Sequence, residues 1–392
     1  MPHYKYLIIG GGMTGDAAAR GIRELDPDGS IGMIGDETDM PYARPPLSKG
    51  MWKGRPFEKI WRGTQTLNVG FHLGRHATRL DTAARRVVDD KAEEYTYDKL
   101  LLATGGTPNQ LPFGKEHIIY YRTLQDYLHV RKLVEAGQSF VVIGAGFIGS
   151  EVAAALRMQD RQVTMVFRER SIGELVYPAD LSKHIDDYYR QKGVELLPGE
   201  ALASVEREGD KFIVRTASGR ELKVDAVVGG IGVRPNVELA QSAGIKTENG
   251  IVVDDHLRTS APDIYAAGDV AMFPHKALGK MTRVEHEDNA LRTGKLAGRN
   301  MAGADEAYAH APFFYSDMFE LGYEAIGTLN SKLETYADWQ ETFKKGVIYY
   351  LDGGRVRGVL LWNVWQKLDE AAAVVEDPGP LKPDQLKGRI QM

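Results

Sequence analysis

Two stretches of the chain share one pattern of hydrophobic and polar positions. Each begins as a short apolar run, residues 7–9 in the first copy and 140–143 in the second, and glycines follow at once. A continuous apolar run of this length predicts a strand that is buried on both faces, as in a parallel sheet. Because small helix-forming residues come next, each pattern predicts a strand, a tight turn and a helix.

The glycines of both copies have the spacing Gly-x-Gly-x-x-Gly. They are Gly10, Gly12 and Gly15 in the first copy and residues 144, 146 and 149 in the second. The first glycine permits a tight turn, the second lets the backbone approach a pyrophosphate, and the third lets helix and strand pack closely. The N–H groups at the helix start would face the phosphates. The repetition predicts two dinucleotide-binding units and an internal duplication.

Acidic residues stand where a ribose hydroxyl would be bound, about 20 residues after the last glycine of each motif. They are Asp36 and Glu37 in the first copy and Glu169 in the second. Arg168 and Arg170 flank Glu169 and suit a 2′-phosphate, so these residues leave NADH and NADPH open. We favour NADH because a carboxylate at this position would repel a phosphate.

Further buried strands end in small residues or in an acid. Residues 97–106 end in small residues from Ala103 onward, and residues 224–236 include a glycine-rich end with Gly232. Asp269 follows the apolar run 264–267, and ligands of doubly wound sheets lie at the carboxyl ends of strands. These residues alone favour two roles of Asp269 equally: its carboxylate accepts hydrogen bonds from a polyol, or it caps a helix.

A proline-rich loop, residues 41–49, carries Arg44 and Lys49. Its prolines forbid a regular helix or a central strand. A guanidinium in such a loop suits a phosphate and an ammonium suits a reactive ring, although solvated surface charges are the commoner outcome. Residues 53–86 are also rich in Lys and Arg, which predicts either a dock for an acidic protein partner or a solvated face.

After residue 311 the pattern changes to a series of short strands. Segments 313–315, 323–328, 346–351 and 356–362 predict an antiparallel meander, and Asp352, Gly353 and Gly354 predict a hairpin turn. Residues 366–375 predict a helix, and the proline-containing tail predicts an irregular end. The predicted domains are 1–116 with 237–311, then 117–236, and finally 312–392.

The composition excludes several classes of function. Of 392 residues, 43% are hydrophobic and 26% are charged, as in an ordinary globular protein with two or three domains. The formal net charge of −5 argues against a nucleic-acid or anionic-membrane binder. The absence of cysteine excludes disulfides, Cys-ligated metal sites and a redox-active thiol, so redox chemistry would depend on a bound cofactor. We expect no targeting segment, no membrane span and no metal site, which predicts a cytoplasmic protein.

Together these motifs resemble the two-dinucleotide flavoprotein reductases. The loop 41–49 narrows the resemblance to the branch that contains oxygenase-coupled ferredoxin reductases and apoptosis-inducing factor. Segments 283–286, 314–317, 322–327 and 361–363 look specifically like apoptosis-inducing factor. The chain is therefore identified as an apoptosis-inducing factor-like member of the FAD-dependent pyridine nucleotide oxidoreductases. The resemblance implies an α/β fold of glutathione-reductase-like architecture, with two Rossmann-like dinucleotide-binding domains and a C-terminal α+β domain with an antiparallel sheet.

The resemblance also implies the residues of two cofactor sites. For FAD they are Gly10, Gly12, Met13, Thr14, Gly15, Asp36, Glu37, Arg44, Lys49, Ala103, Thr104, Gly105, Arg122, Asp269, Glu285, His286, Glu287 and Tyr315. For NADH, with NADPH open, they are Gly144, Ala145, Gly146, Phe147, Ile148, Gly149, Glu151, Glu169, Gly232, Glu285, Glu324 and Asn363. The implied catalytic residues are a Lys49–Glu151 ion pair beside the flavin, Phe147 over the flavin ring, and His286 in the nicotinamide pocket.

The implied activity is that of an FAD-dependent NAD(P)H oxidoreductase that passes electrons to an external acceptor. A ferredoxin-type carrier, a quinone and oxygen are all open as acceptors. The alternative is a slow-turnover NADH-sensing module whose assembly responds to flavin reduction. Nucleic-acid binding is disfavoured by the net charge, and a small acidic electron carrier and a monomer or weak homodimer are expected. Two features depart from apoptosis-inducing factor: Tyr315 stands where that protein has tryptophan, and segment 329–344 lacks its long regulatory insertion.

Overall fold

The computed structural model describes residues 1–392 and divides into two compact units. Unit 1 contains Met1–Arg44, Phe57–Thr107 and Arg234–Pro312, and unit 2 contains Pro45–Pro56, Pro108–Val233 and Phe313–Met392. The predicted domains 117–236 and 312–392 thus lie almost entirely within unit 2, and their separation into two domains stays a prediction. None of the helices is long and apolar enough to cross a lipid bilayer.

The strands are β1 (His3–Ile9), β2 (Ile31–Gly35), β3 (Val69–Leu73), β4 (Ala77–Asp81), β5 (Arg86–Asp89), β6 (Glu94–Leu102), β7 (Gly106–Pro108), β8 (Ile118–Tyr120), β9 (Ser139–Ile143), β10 (Gln162–Phe167), β11 (Val194–Pro198), β12 (Leu202–Glu208), β13 (Lys211–Thr216), β14 (Glu221–Val224), β15 (Ala226–Gly229), β16 (Val233–Pro235), β17 (Thr247–Glu248), β18 (Gly250–Val252), β19 (Ile264–Ala266), β20 (Ala271–His275), β21 (Lys280–Arg283), β22 (Phe313–Met318), β23 (Leu321–Gly327), β24 (Glu334–Glu341), β25 (Lys345–Asp352) and β26 (Arg355–Trp362). The α-helices are α1 (Met13–Leu25), α2 (Leu124–Ala136), α3 (Phe147–Met158), α4 (Ala179–Gln191), α5 (Glu238–Ser242), α6 (Glu287–Met301), α7 (Leu368–Glu376) and α8 (Pro383–Leu386).

A seven-stranded sheet forms the centre of unit 1. Strands β3, β2, β1 and β6 lie side by side in that order and run parallel, and β19 pairs with β6 in parallel. Strands β5 and β4 extend the sheet in antiparallel pairing. Leu7 and Ile8 of β1 are fully buried, as the apolar run predicts. The carboxyl ends of β1, β6 and β19 meet at one edge of the sheet, where Gly10, Ala103 and Gly268 follow.

Helices α1 and α6 of unit 1 pack closely because glycines lie at their contact. A Cβ atom on Gly298 would lie 2.1 Å from the carbonyl oxygen of Ala18, and one on Gly294 would lie 2.5 Å from the carbonyl oxygen of Thr14. Only glycine permits such a close backbone approach. Helix α6 therefore fixes the first turn of α1, which is the part of the helix that continues the glycine motif.

Unit 2 contains three sheets. The five-stranded parallel sheet has the order β11, β10, β9, β15, β8 and is the second dinucleotide-binding sheet that the sequence predicts. Strands β12 to β14 form an antiparallel sheet of their own. The predicted meander is an antiparallel sheet in the order β22, β23, β26, β25, β24. Gly353 and Gly354 turn the chain between β25 and β26 with φ of 58° and 76°, as a tight hairpin requires.

The sheet β12–β14 and strand β24 have no counterpart in the predicted elements. Strands β12–β14 carry many charged residues, which lowers any apolar signal, and they are joined by cross-strand ion pairs such as those from Arg215 to Glu206 and Glu221. Strand β24 occupies half of the segment 329–344, which the sequence analysis treated only as a short segment. The predicted helix 366–375 is present as α7, and the tail, predicted to be irregular, contains the single helical turn α8.

Candidate cofactor sites

The first glycine motif is the turn between β1 and α1, and its glycines have different roles. Gly10 has a φ of +129°, and a Cβ there would lie 2.0 Å from the carbonyl oxygen of Ala103. A Cβ on Gly15 would lie 2.2 Å from the carbonyl oxygen of Gly10. A Cβ on Gly12 would approach only the guanidinium of Arg44, at 3.9 Å. The outer glycines therefore close the turn, whereas Gly12 leaves its surface open.

The start of α1 offers hydrogen-bond donors beside this open surface. Gly12 is the N-cap residue, and no side chain caps the helix. The first N–H groups of a helix have no partner within the helix and carry a partial positive charge. The Arg44 backbone N–H donates to Sδ of Met13 at 3.4 Å, which holds the loop before Pro45 against the helix start. These donors, with the guanidinium, fit a pyrophosphate.

The two acids after β2 have different surroundings. The Glu37 carboxylate accepts hydrogen bonds from the guanidinium of Arg44 and, at 2.6 Å, from the hydroxyl of Tyr42. The side chain of Asp36 is 68% exposed, and its carboxylate lies 3.0 Å from Nδ1 of His76. Glu37 is therefore tied through Arg44 to the glycine turn, whereas Asp36 points to a more exposed position.

Asp269 lies directly behind the first turn of α1. Its neighbour Gly268 has a φ of +75°, and a Cβ on Gly268 would lie 2.2 Å from Oγ1 of Thr14. The Gly268 N–H donates to Oγ1 of Thr293 on α6 at 2.9 Å. Arg283 donates to the backbone oxygen of Asp269 at 3.1 Å. The half-buried Asp269 side chain thus belongs to the same edge as the glycine turn.

Other predicted FAD residues line this edge of unit 1. Ala103 is buried, and the Thr104 hydroxyl donates to the carbonyl oxygen of Asn236 at 2.7 Å. Gly105 has a φ of +64°. At the start of α6, His286 is the N-cap residue, Glu287 is the first helical residue, and Glu285 accepts from Arg283.

The second glycine motif repeats the geometry of the first between β9 and α3 in unit 2. Gly144 has a φ of +99°, and a Cβ there would lie 2.4 Å from the carbonyl oxygen of Gly230. A Cβ on Gly149 would lie 2.1 Å from the carbonyl oxygen of Gly144, whereas a Cβ on Gly146 meets no atom within 4 Å. Gly146 is an N-cap without a capping side chain, so α3 also presents open N–H groups.

The remaining nucleotide residues of unit 2 surround this turn. Ala145 is buried, Ile148 is 38% exposed and Gly232 has a φ of +87°. Glu169 follows β10 and is half-buried, and its backbone oxygen accepts the N–H of Gly199 at 2.8 Å. Arg168 and Arg170 are exposed on either side, and Arg170 is drawn to Glu174 at 3.8 Å.

Glu151, near the start of α3, forms a buried ion pair with Lys49. Nζ of Lys49 donates to Oε2 of Glu151 at 2.7 Å, as the sequence resemblance predicts. The Glu151 side chain is 1% exposed and that of Lys49 is 12% exposed. Ser48 and Ser316 donate to the same carboxylate, each at 2.6 Å. Three donors therefore share one buried carboxylate.

Aromatic rings from β22 accompany this cluster. The Lys49 ammonium lies 5.3 Å from the centre of the Tyr315 ring, within reach of a cation–π contact. The ring of Phe147, at the start of α3, is 5.7 Å from that of Phe314. Unit 2 thus brings four predicted residues together: Lys49, Phe147, Glu151 and Tyr315.

Two predicted residues lie farther along the antiparallel sheet of unit 2. Glu324 of β23 accepts the N–H of Gln366 at 3.2 Å, and burial raises the pKa of its carboxyl. The Asn363 side chain accepts the N–H of Gly322 at 2.8 Å and donates to the carbonyl oxygen of Lys344 at 2.7 Å. In this structure Asn363 therefore joins three stretches of backbone.

The family follows from comparison with protein-family models. The model for pyridine nucleotide-disulphide oxidoreductases matches residues 4–294, which include both glycine turns. The chain belongs to this family. A second model, for the C-terminal region of mitochondrion-associated apoptosis-inducing factor, matches residues 297–341 and 336–377.

Family members of known name resemble the whole chain. Apoptosis-inducing factor 1, mitochondrial, of Dictyostelium discoideum is 32% identical over 95% of this chain and 78% of its own length. Putidaredoxin reductase of Pseudomonas putida is 31% identical over 97% of this chain and 93% of its own. The crystal structure of the covalent putidaredoxin reductase–putidaredoxin complex matches with a TM-score of 0.91 and 30% identity, over 98% of this chain and 95% of that one.

The family confirms the predicted fold class, enzyme class and cofactors. The chain is an FAD-dependent NAD(P)H oxidoreductase of this family. The open surfaces at Gly12 and Gly146, each beside an uncapped helix start, fit two dinucleotides. The assignment of individual site residues stays a prediction. Among them, Arg122 lies in the loop before α2, where its backbone N–H donates to Asp126 at 3.0 Å.

The sequence did not reveal a buried carboxylate beside the first glycine turn. Asp16 is fully buried and accepts hydrogen bonds from Nε of Arg62 at 2.5 Å, Nε of Arg20 at 3.1 Å and Oγ1 of Thr64 at 2.7 Å. An acid directly after the third glycine, on a helix whose other early residues are apolar, was the available signal. Its partner Arg62 is a member of the basic stretch, where charge counting alone gives it no particular role.

Much of the charge of the basic stretch 53–86 is neutralised internally. Besides Arg62, Arg75 donates to the buried Asp89 at 3.0 Å, and Arg85 and Arg86 pair with acids of their own unit. Arg79 is an exposed residue of β4. The stretch is therefore mainly a set of structural ion pairs, and it gives only weak support for docking of an acidic partner.

Proposed function

We propose that this oxidoreductase takes reducing equivalents from NADH and passes them to a small electron-carrier protein. The observation that carries the proposal is the Lys49–Glu151 pair, in which Glu151 belongs to the helix that begins at the second glycine turn and Lys49 to the proline-rich loop. Support for the carrier comes from the related reductase structure, which is a covalent complex with putidaredoxin. A quinone or oxygen remains the alternative acceptor.

The preference for NADH rests on the residues after β10. The Glu169 carboxylate suits the two hydroxyls of an adenosine ribose and would repel a 2′-phosphate. Arg170 is engaged by Glu174 and so is less able to neutralise that phosphate. If this is correct, NADH reduces the flavin faster than NADPH does, and Glu169→Ala should bring the two rates closer together. An unchanged ratio would show that the specificity lies elsewhere.

When bound, FAD supplies a ring that accepts hydride at N5 and releases electrons one at a time. The residues of this chain bind and orient. Gly12, Arg44 and the start of α1 would hold the pyrophosphate, and Asp269 would accept a polyol hydroxyl. Of the two acids after β2, the family resemblance assigns the adenosine ribose to Asp36, whereas Glu37 is bonded to Arg44 beside the glycine turn.

In unit 2 the start of α3 would hold the NADH pyrophosphate, and Phe147, the first residue of that helix, would contact the nicotinamide. The Lys49 ammonium places a positive charge where negative charge develops, and Glu151 fixes that ammonium. Glu324 and Asn363, which also belong to unit 2, would contribute further contacts to NADH. Positioning of the two rings is the main catalytic device.

An anaerobic titration tests this proposal. Purified holoenzyme should lose the visible flavin absorbance with NADH and should recover it when an oxidised ferredoxin-type carrier is added. Failure to bleach with either nucleotide would overturn the assignment of the second glycine turn. Bleaching that no carrier reverses, but that air or a quinone reverses rapidly, would replace the carrier by one of those acceptors.

The site of carrier docking can be tested at Arg79. Arg79→Glu should slow carrier reduction and leave flavin reduction by NADH unchanged if an acidic carrier docks on β4. Arg75 is unsuitable for this test because its guanidinium is bonded to the buried Asp89. Equal carrier rates would remove β4 from the docking surface. A cytoplasmic location and a monomeric or weakly dimeric state are further parts of the proposal, for fractionation and light scattering to test.

A second candidate is a slow NADH sensor, favoured by the match of the C-terminal region to apoptosis-inducing factor. Reduced protein would then persist in air and elute differently in size-exclusion chromatography. The same elution volume before and after NADH, with rapid reoxidation, would exclude the sensor.

A further inference from the structure

Two buried serine hydroxyls complete the hydrogen bonding of the Glu151 carboxylate. Oγ of Ser316 donates to Oε1, and Oγ of Ser48 donates to Oε2, the oxygen that also accepts from Lys49. Ser316 is 1% exposed and Ser48 is 6% exposed. An ionised carboxylate only accepts hydrogen bonds, so both hydroxyls donate to it and the direction of each hydrogen bond is defined.

The two serines come from separate, independently fixed elements of unit 2. Ser48 ends the turn Pro45–Ser48, whose Leu47 carbonyl oxygen accepts from Nε1 of Trp52 at 2.7 Å and from the Tyr121 hydroxyl at 2.6 Å. Ser316 lies within β22, opposite the fully buried Tyr323. The backbone of each serine is therefore held by contacts that do not involve Glu151.

The tip of the hairpin that carries Ser316 is also held. The Phe319 ring packs edge-on against the rings of Tyr188 and Tyr189, at 5.7 and 5.2 Å between centres. Its backbone oxygen accepts from Nζ of Lys53 at 3.0 Å. Strand β22 is therefore anchored to α4 at its far end by contacts within unit 2.

We propose that Ser48 and Ser316 are positioning residues for hydride transfer, acting through Glu151 on Lys49. This inference rests on the role proposed above for the Lys49–Glu151 pair. A lysine side chain has four flexible carbons and a compact ammonium, so a carboxylate that can rotate would not keep it at one point. With one serine on each oxygen, rotation of the carboxylate breaks two charge-assisted hydrogen bonds. The hydroxyls thus convert a mobile ion pair into a fixed one.

The first test is single-turnover flavin reduction in the holoenzyme. Ser316→Ala and Ser48→Ala should each slow the limiting rate about tenfold with little change in the dissociation constant of NADH, the signature of an interaction that serves the transition state. Ser316→Thr, which keeps the hydroxyl, should restore the limiting rate. The matched control is Ser182→Ala, which removes a buried hydroxyl that has no hydrogen-bond partner.

The second test reads the position of Lys49 without turnover. Holoenzyme is acylated with an amine-reactive ester, and mass spectrometry compares Lys49 with the exposed Lys183. Ser48→Ala/Ser316→Ala should raise the relative labelling of Lys49 severalfold, and Ser182→Ala should not. Unchanged labelling and rates in the serine variants, with a large loss in Lys49→Met and Glu151→Gln, would overturn the serine inference alone. Normal rates in Lys49→Met would instead overturn the role proposed for the ion pair.

Discussion

The two glycine turns close in the same way but are followed by different buried carboxylates. In both turns a Cβ atom on the first or third glycine would lie within 2.0–2.4 Å of a carbonyl oxygen, and the middle glycine is open. In unit 1 the carboxylate is Asp16, bonded to the guanidiniums of Arg20 and Arg62. In unit 2 it is Glu151, bonded to one ammonium and two hydroxyls.

The difference separates a structural carboxylate from a chemical one. Guanidiniums stay charged at any accessible pH and bind through a planar fork, so the Asp16 cluster joins α1 to the segment of Arg62 permanently. An ammonium is a mobile point charge that acts at a distance from its stem. In unit 1 the acid therefore holds the first glycine turn against the segment of Arg62, whereas in unit 2 the acid holds one ammonium in place.

The largest effect is expected where the turns are alike. Gly10→Ala places a Cβ 2.0 Å from the Ala103 carbonyl oxygen at a φ of +129°. We expect the free energy of unfolding to fall by more than about 3 kcal/mol and the purified protein to contain no flavin. Gly54→Ala is the control, because Gly54 also has a positive φ, of +83°, but meets no atom within 4 Å. It should cost only about 1 kcal/mol. Thermal unfolding and flavin content measure both, and equal costs would contradict the steric argument.

The next effect separates the two carboxylates. Asp16→Asn leaves two guanidiniums beside a neutral amide and should cost about 2–3 kcal/mol, below the value for a fully buried pair because Arg20 and Arg62 are 39% and 21% exposed. Glu151→Gln should instead slow flavin reduction strongly, and its melting temperature should fall less than that of Asp16→Asn. Melting curves and stopped-flow rates on both variants give the answer. A reversed pattern would remove the distinction between structural and chemical acids.

The open middle glycines allow the two cofactors to be weakened separately. Gly12→Ala and Gly146→Ala both fit the protein, so each should fold, but each methyl group would lie where a pyrophosphate approaches. Gly12→Ala should weaken FAD binding, and Gly146→Ala should weaken NADH binding about 10–100-fold while flavin stays bound, since a lost phosphate contact of about 1.4–2.7 kcal/mol has that effect. Flavin content and NADH titrations distinguish them. Loss of flavin in Gly146→Ala would show that FAD had been assigned to the wrong turn.

The sequence predicted the parts of the fold that depend on neighbouring residues in the chain. The apolar runs at β1 and β9 and the glycine spacing predicted both turns, and the Gly353–Gly354 hairpin was also correct. In the charged sheet β12–β14 the apolar runs are short, three residues in β13, and lie between charged residues. Ser48 and Ser316 each lie more than 100 residues from Glu151 in the chain and reach it only through tertiary packing. No local pattern marks such a meeting.

The same limit explains the choice among the acids after β2. Spacing alone could not separate Asp36 from Glu37, because adjacent residues fit the ribose position equally well. In the structure their surroundings differ: Arg44 of the proline-rich loop donates to Glu37, whereas Asp36 is exposed beside His76. Likewise, counting charges in the stretch 53–86 could not show that Arg62 and Arg75 are bonded to the buried Asp16 and Asp89.

A smaller effect on stability is expected from two aspartates, one in each unit, that directly precede a strand. Asp225, before β15, accepts the N–H groups of Gln138 and Ser139, both at 2.9 Å, and the ammonium of Lys211. Burial opposes its ionisation, but these donors outweigh burial and hold its pKa below the usual value. Asp263, before β19, pairs with Lys99 and Arg85, and chiefly the hydrogen bond from Lys99 lowers its pKa.

Both carboxylates should stabilise the protein at neutral pH and lose that effect in acid. A pKa that is lower in the folded state favours folding above the unfolded value of about 4, and the contribution disappears as pH falls through the folded value. Asp225→Asn should cost about 1–2 kcal/mol at pH 7 and less at pH 3, because backbone donors cannot turn to water. Asp263→Asn should cost under about 1 kcal/mol, and 1 M salt should reduce this second cost by the larger fraction, since both ion-pair partners of Asp263 are partly exposed whereas Asp225 also accepts two backbone N–H groups. Urea unfolding at both pH values and both salt concentrations measures the difference, and equal salt sensitivity would show that the backbone donors do not set Asp225 apart.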